Sequence, residues 1–150
     1  MSHSSSPVFV QQILQQIRTA GAVLEPRLIQ VIQQSQAEIT VPLRQLLAQP
    51  TSLSDDENKA YARCHALVFL SKWQDGDTLA ILLDVLRRHD DCIESLYEII
   101  EYTVPAYGPQ IIHQFAELLN DQTAPRASRI SASSLLSLMA HLHPLTASTV

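Results

Sequence analysis

Three Leu-Leu pairs recur at an interval of 36 residues: Leu46-Leu47, Leu82-Leu83 and Leu118-Leu119. Two stretches carry a second element, Arg63-Cys64-His65-Ala66 and Arg129-Ile130-Ser131-Ala132, in which Arg stands three residues before Ala. A period of this length, built from apolar positions at helical spacing, marks stacked helix pairs. One such pair cannot bury its apolar side alone, so each pair must lean on the next. Stacks of this kind work through the surface they present, and the expectation for this chain is a partner rather than a reaction.

The helix signals fit that plan. Ser6-Pro7 provides a cap and a first-turn proline for a helix over about 8–19, with Val10, Ile13, Leu14 and Ile17 at i, i+3, i+4 and i+7. A second helix is predicted from Glu25-Pro26 to about Gln34, and a third from Thr40-Val41-Pro42 to Ala48. Ser54-Asp55-Asp56-Glu57 reads as a capping box opening a helix that reaches Trp73. Asp77 is the expected cap of a helix ending at Arg88, followed by helices over about 91–103, 110–119 and 126–142. Only 3 glycines and few aromatics argue against a sandwich or barrel, so the expected class is all-α. The ten glutamines of the first 50 residues alternate with Ile, Leu and Val at helical spacing, which describes solvated helix faces.

The last helix pair resembles a HEAT repeat. That pattern places Asp in the turn, Pro nearby, then Arg, two small residues, Leu and a small residue. Asp121, Pro125, Arg129, Ala132, Ser133, Leu136 and Ser137 occupy those places, with one extra residue in the turn. Over 41–73, Arg63, Ala66, Leu70 and Ser71 match more loosely, and the middle pair puts Cys92 or a neighbour where Arg belongs. The stretch from Val31 to about Asp91, including Ala37-Glu38-Ile39-Thr40-Val41-Pro42 and Ala66-Leu67-Val68-Phe69-Leu70, also resembles a bacterial HEAT-like family of unknown function. The resemblance implies an α-solenoid of about four HEAT-like antiparallel helix pairs. Its expected organisation is a disordered N-terminus over 1–6, a single repeat domain over 7–144 and a frayed tail over 145–150.

Charge is unevenly placed along the chain. Of a net −5, residues 51–104 hold eleven acids against five bases, while the flanks are close to neutral. Within that stretch Asp91, Glu94, Glu98 and Glu101 are spaced 3, 4 and 3 and share one helix face, with Tyr97 and Tyr102 beside them. No Lys or Arg occurs between Arg88 and Arg126 to neutralise them at helical distance. Such a face is either a solvated helix surface or a docking site for a basic or mixed protein partner. The reading adopted is a non-catalytic adaptor or regulator that uses this stripe. Tyr97, Tyr102 and Tyr107, near the Pro105…Gly108-Pro109 break, serve equally well as interface or core residues.

Other chemistry finds less support in the residues. Ten scattered Lys and Arg and an acidic middle disfavour a phosphate backbone, so no nucleic acid is expected. Cys64 and Cys92 match no metal spacing and read as buried free thiols; neither metal nor cofactor is expected. His65, His113, His141 and His143 do not converge. The alternative function is an enzyme-accessory protein resembling the HEAT-like proteins that assist chromophore attachment, with His113 or Cys92 beside a carboxylate in a pocket between helices. No apolar run reaches the ~18 residues of a membrane span. The start, Met1 to Pro7, lacks the basic and apolar regions of a signal peptide, so a cytoplasmic location with no membrane partner is expected. A homo-oligomer formed through exposed stack ends is a further expectation.

Overall fold

The computed structural model describes residues 7–49, 57–88 and 93–142. Among them all regular structure is helical: α1 (Pro7–Thr19), α2 (Pro26–Gln34), α3 (Gln36–Ala48), α4 (Glu57–Lys72), α5 (Gly76–Arg88), α6 (Ile93–Thr103), α7 (Ile112–Asn120) and α8 (Arg126–Leu142). Short 3-10 turns at Val104–Tyr107 and Pro109–Ile111 join α6 to α7. No described helix is long and apolar enough to cross a membrane. The expectations placed on 1–6, on the Ser54 cap, on Asp91, Cys92 and His143, and on 145–150 fall outside the described residues.

Most helix limits follow the sequence signals, and the departures have local causes. The third helix starts at Gln36 rather than near Thr40. Ser35 makes this possible, because one residue closes α2 and opens α3. Its N–H donates to the carbonyls of Val31 and Ile32, while its own carbonyl accepts from Glu38 and Ile39 at 3.0 and 2.9 Å. Pro42 therefore lies inside α3, where it cannot donate to the Glu38 carbonyl. Four buried side chains on that helix, Ile39, Leu43, Leu46 and Leu47, hold it helical regardless.

The second departure is at the α4–α5 turn. Asp75, not Asp77, takes the capping role, since its carboxylate accepts the Thr78 hydroxyl at 2.7 Å and the Thr78 backbone N–H. Upstream, the Gln74 N–H donates to Ser71 and the Asp75 N–H to Leu70, the two bonds of a Schellman ending. Gln74 accordingly adopts φ +53, a left-handed value that glycine normally supplies at this place.

Packing is organised around α4. It touches α1, α3, α6 and the Val104–Tyr107 turn, and buries residues on nearly every side, from Ala62 to Ser71. Ala62 and Ala66 are fully enclosed, which lets the neighbouring backbones come close. Beside it, α3 touches α5, α5 touches α7 and α8, and α7 packs closely on α8. The Leu-Leu pairs lie in this core: Leu47, Leu82 and Leu118 are fully buried. Of their partners, Leu46 is buried and Leu83 and Leu119 are half-buried against the cluster.

Polar side chains tie the ends of α3 and α5 to other helices. Arg63, only 2% exposed, donates from Nε to the Leu47 carbonyl at 3.1 Å. Arg88 donates to the Ala48 carbonyl at 2.7 Å, and the Ser128 hydroxyl donates to the Leu86 carbonyl. Each tie satisfies a carbonyl that the end of a helix leaves without an intrahelical partner. Asp121, the turn residue of the repeat pattern, pairs with Arg87 at 3.2 Å and accepts from the Thr123 hydroxyl at 2.6 Å. Arg129 takes no part in that pairing, and its Nε is buried with no hydrogen-bond partner among the described residues.

Candidate functional site

Helix α6 carries the acidic residues singled out in the sequence. Its inward stripe is Leu96, Ile100 and Thr103, at i, i+4 and i+7, with the Thr103 hydroxyl returned to the Ile99 carbonyl at 2.7 Å. That registration turns Glu98, Glu101 and Tyr102 outward, and all three are exposed. Tyr102 is 85% exposed, the most solvent-accessible large apolar side chain among those described. Glu94 belongs to the same helix by position, and Asp91 lies outside the described residues. The described part of the stripe is thus two carboxylates and a phenol on adjacent turns.

The described part of this face carries no cation of its own. Among the described residues neither Glu98 nor Glu101 has an ion-pair partner, while the ion pairs present join Arg44 to Asp75 and Asp77, Arg87 to Asp121 and Arg88 to Asp84. Tyr97 has a different job from Tyr102. Half-buried, it donates to the Ser131 carbonyl of α8 at 3.4 Å, and burial pushes its phenol up. It holds α6 to α8 and leaves the outer face to Tyr102.

The third tyrosine of the cluster is structural. Tyr107 is buried, its hydroxyl 3.1 Å from the Asp75 carbonyl and 3.3 Å from that of Leu70, so it fastens the α4–α5 turn. Arg44 grips the same turn from α3 through a two-pronged contact with the Asp75 carboxylate and a 3.2 Å contact with Asp77. This arrangement of Arg44, Asp75, Thr78 and Tyr107 is a clasp between helices rather than an open site. It holds the Asp75 carboxyl below the usual carboxylate range, the Arg44 hydrogen bond being the main cause.

The residues considered for chemistry are dispersed. Cys64 is buried on α4, and burial pushes its thiol up, with the Glu98 carboxylate adding to the effect and Arg63 opposing it. His113 is exposed on α7 and lies 3.8 Å from Glu117 one turn on. His141 is exposed in the last turn of α8. Among the described residues no group of three His, Cys, Asp or Glu side chains is placed to hold a metal ion.

One recess was not legible in the sequence. Between the α1–α2 connection, α2 and α4 lies a cleft of about 310 Å³ lined by Val23, Leu24, Ile29, His65, Val68, Phe69 and Lys72, with Ala22 and Gln33. Its residues come from three separate stretches, and only the α4 members show a spacing that could have been noticed. Comparison with known proteins gave no matching family, no matching curated protein and no matching solved structure.

Proposed function

We propose that this chain is a non-catalytic adaptor or regulator that binds a protein partner, folded as an α-solenoid of HEAT-like helix pairs. The order of helix contacts supports the solenoid: α3, α5 and α7 touch in succession, α4 touches α6, and α3–α4 and α7–α8 are the closest pairs. The ties at Leu47, Ala48 and Leu86 add polar contacts from α4 and α5 to the end of α3 and from α8 to the end of α5. In this reading α6 stacks on α4, and its outer face lines the partner side.

The observation that carries the binding surface is Tyr102, 85% exposed beside Glu98 and Glu101, with no cation paired to either acid among the described residues. Burying an aromatic with a polar tip gives an interface much of its energy, and a flanking negative field speeds encounter with a basic partner. All three side chains project into solvent, so changing them leaves the core intact. Affinity capture from the native host tests the surface with the wild-type chain, Glu98→Lys with Glu101→Lys, and Tyr102→Ala. The expected outcome is a partner whose recovery falls with added salt and drops about tenfold or more in either variant, as for an interface anchor worth at least about 1.4 kcal/mol. Equal recovery with all three proteins removes this face from the function.

A further inference from the structure

We propose that the cleft beneath the α1–α2 connection binds a small aliphatic carboxylate, of the size of a medium-chain fatty acid. At about 310 Å³ it stands at the lower edge of the ~300–1,000 Å³ typical of small-molecule sites. One wall is α4, where His65, Val68, Phe69 and Lys72 fall at i, i+3, i+4 and i+7 and so form one stripe. The facing wall is the connection at Val23 and Leu24 together with Ile29 of α2.

The chemistry of the lining selects the ligand. Leu24 and Phe69 are buried and form an apolar floor. Val23 and Val68, 78% and 39% exposed, are apolar walls that the fold leaves in water. An aliphatic chain would cover them, with the gain expected for removing apolar area from solvent. The rim is cationic: no Asp or Glu lines the cleft, and Lys72 has no ion-pair partner among the described residues, although the chain as a whole carries −5. An apolar body with one negative end satisfies both parts. A simple inorganic anion would leave the walls wet, and an apolar cation would meet Lys72.

His65 shapes the site without needing to touch the ligand. Its Nε2 lies 2.8 Å from the Gly21 carbonyl, which can only accept, so Nε2 carries the hydrogen and the tautomer is fixed. Gly21 adopts φ +75, a left-handed value, as the chain turns out of α1. The bond pins the connection against α4 and sets the width of the cleft.

Trp73, the only tryptophan of the chain, provides a reporter, because its ring packs on Phe69 with centroids 5.7 Å apart. Titration of the full chain with decanoate below its micellar range, read by Trp73 emission and by calorimetry, is expected to saturate at one ligand per chain. Lys72→Gln is expected to weaken decanoate about threefold to fivefold, the range for a solvent-exposed ion pair, and to leave decanol unaffected. Val68→Asp places a carboxylate in the wall at a partly exposed position and is expected to weaken decanoate about tenfold or more, with an unchanged melting curve. Absence of saturable binding overturns the proposal. So does binding that Lys72→Gln leaves unaltered, which would mean apolar adhesion without carboxylate recognition. Undiminished binding by a folded Val68→Asp places the ligand elsewhere and overturns it equally.

Discussion

Side chains of one type divide into different roles here according to what surrounds them. Cys64 shows how burial governs reactivity: its thiol is pushed up by desolvation, and the nucleophilic thiolate is correspondingly scarce. Thiol labelling of the folded Cys92→Ser chain near neutral pH is expected to be slow and to become fast in denaturant; rapid labelling of the native protein would contradict this. Asp75 shows the opposite sign. Arg44 and Thr78 favour its charged form, so its folded pKa lies below the unfolded value of about 3.9. A group depressed in this way contributes stability above the unfolded pKa, and that contribution is lost as pH falls through the folded value. Removing the cap by Asp75→Ala is expected to cost about 1–2 kcal/mol near pH 7 in urea unfolding. The gap from the wild type is expected to narrow below about pH 4, and a gap that stays constant would show the carboxylate charge to be irrelevant.

Helix ends and interruptions carry the next level of information. The junction of α2 and α3 uses a single residue, Ser35, as the end of one helix and the beginning of the next, which leaves no room for a loop. Pro42 is the cost of that economy of chain, since an interior proline is about 3 kcal/mol less favourable than alanine in a helix. Proline also stiffens the unfolded chain and so recovers part of this. Pro42→Ala is therefore expected to raise stability by about 2 kcal/mol, seen as a higher urea midpoint at constant m. A lower midpoint would show that the backbone geometry fixed by Pro42 is required for α3 to seat on α4. Pro42 and Gln74 were misleading by type, the first suggesting a helix start near Thr40 and the second giving no hint of a left-handed turn, and the join at Ser35 went unseen. In each case the deciding factor is a set of backbone bonds or buried neighbours outside the local pattern.

Across the molecule, stability is concentrated in the middle of the packing. Helix α4 is covered by α1, α3, α6 and the 3-10 turn, whereas α1 and α8 each expose one long side. Local opening follows the number of neighbours that must be displaced. Native-state hydrogen exchange is expected to be slowest at Leu67 and Leu70 and fastest in α1 and the last turn of α8. Equal protection along all helices would argue for a single closed bundle and against a stack with free ends. The two proposed sites, the α6 face and the α1–α2 cleft, share no residue, so each can be altered without the other.

Periodicity alone was enough to establish helices, most of their limits and the residues that face inward, because a 3.6-residue repeat of Leu, Ile and Val leaves few alternatives once glycine and β-formers are scarce. It also located the carboxylates of α6, since charge spacing on a helix is a local property. Three outcomes depended on contacts between residues far apart in the chain. Tyr97, Tyr102 and Tyr107 look alike in sequence, yet the carbonyls of Ser131 and Asp75 claim two of them and leave Tyr102 in water. Arg87, rather than Arg129, reaches Asp121 because α5 and α7 lie side by side. The His65 cleft exists only where the α1–α2 connection crosses α4, 44 residues away along the chain. Local pattern sets which face of a helix is apolar; which neighbour covers it, and what is left uncovered, follows from how the helices come together.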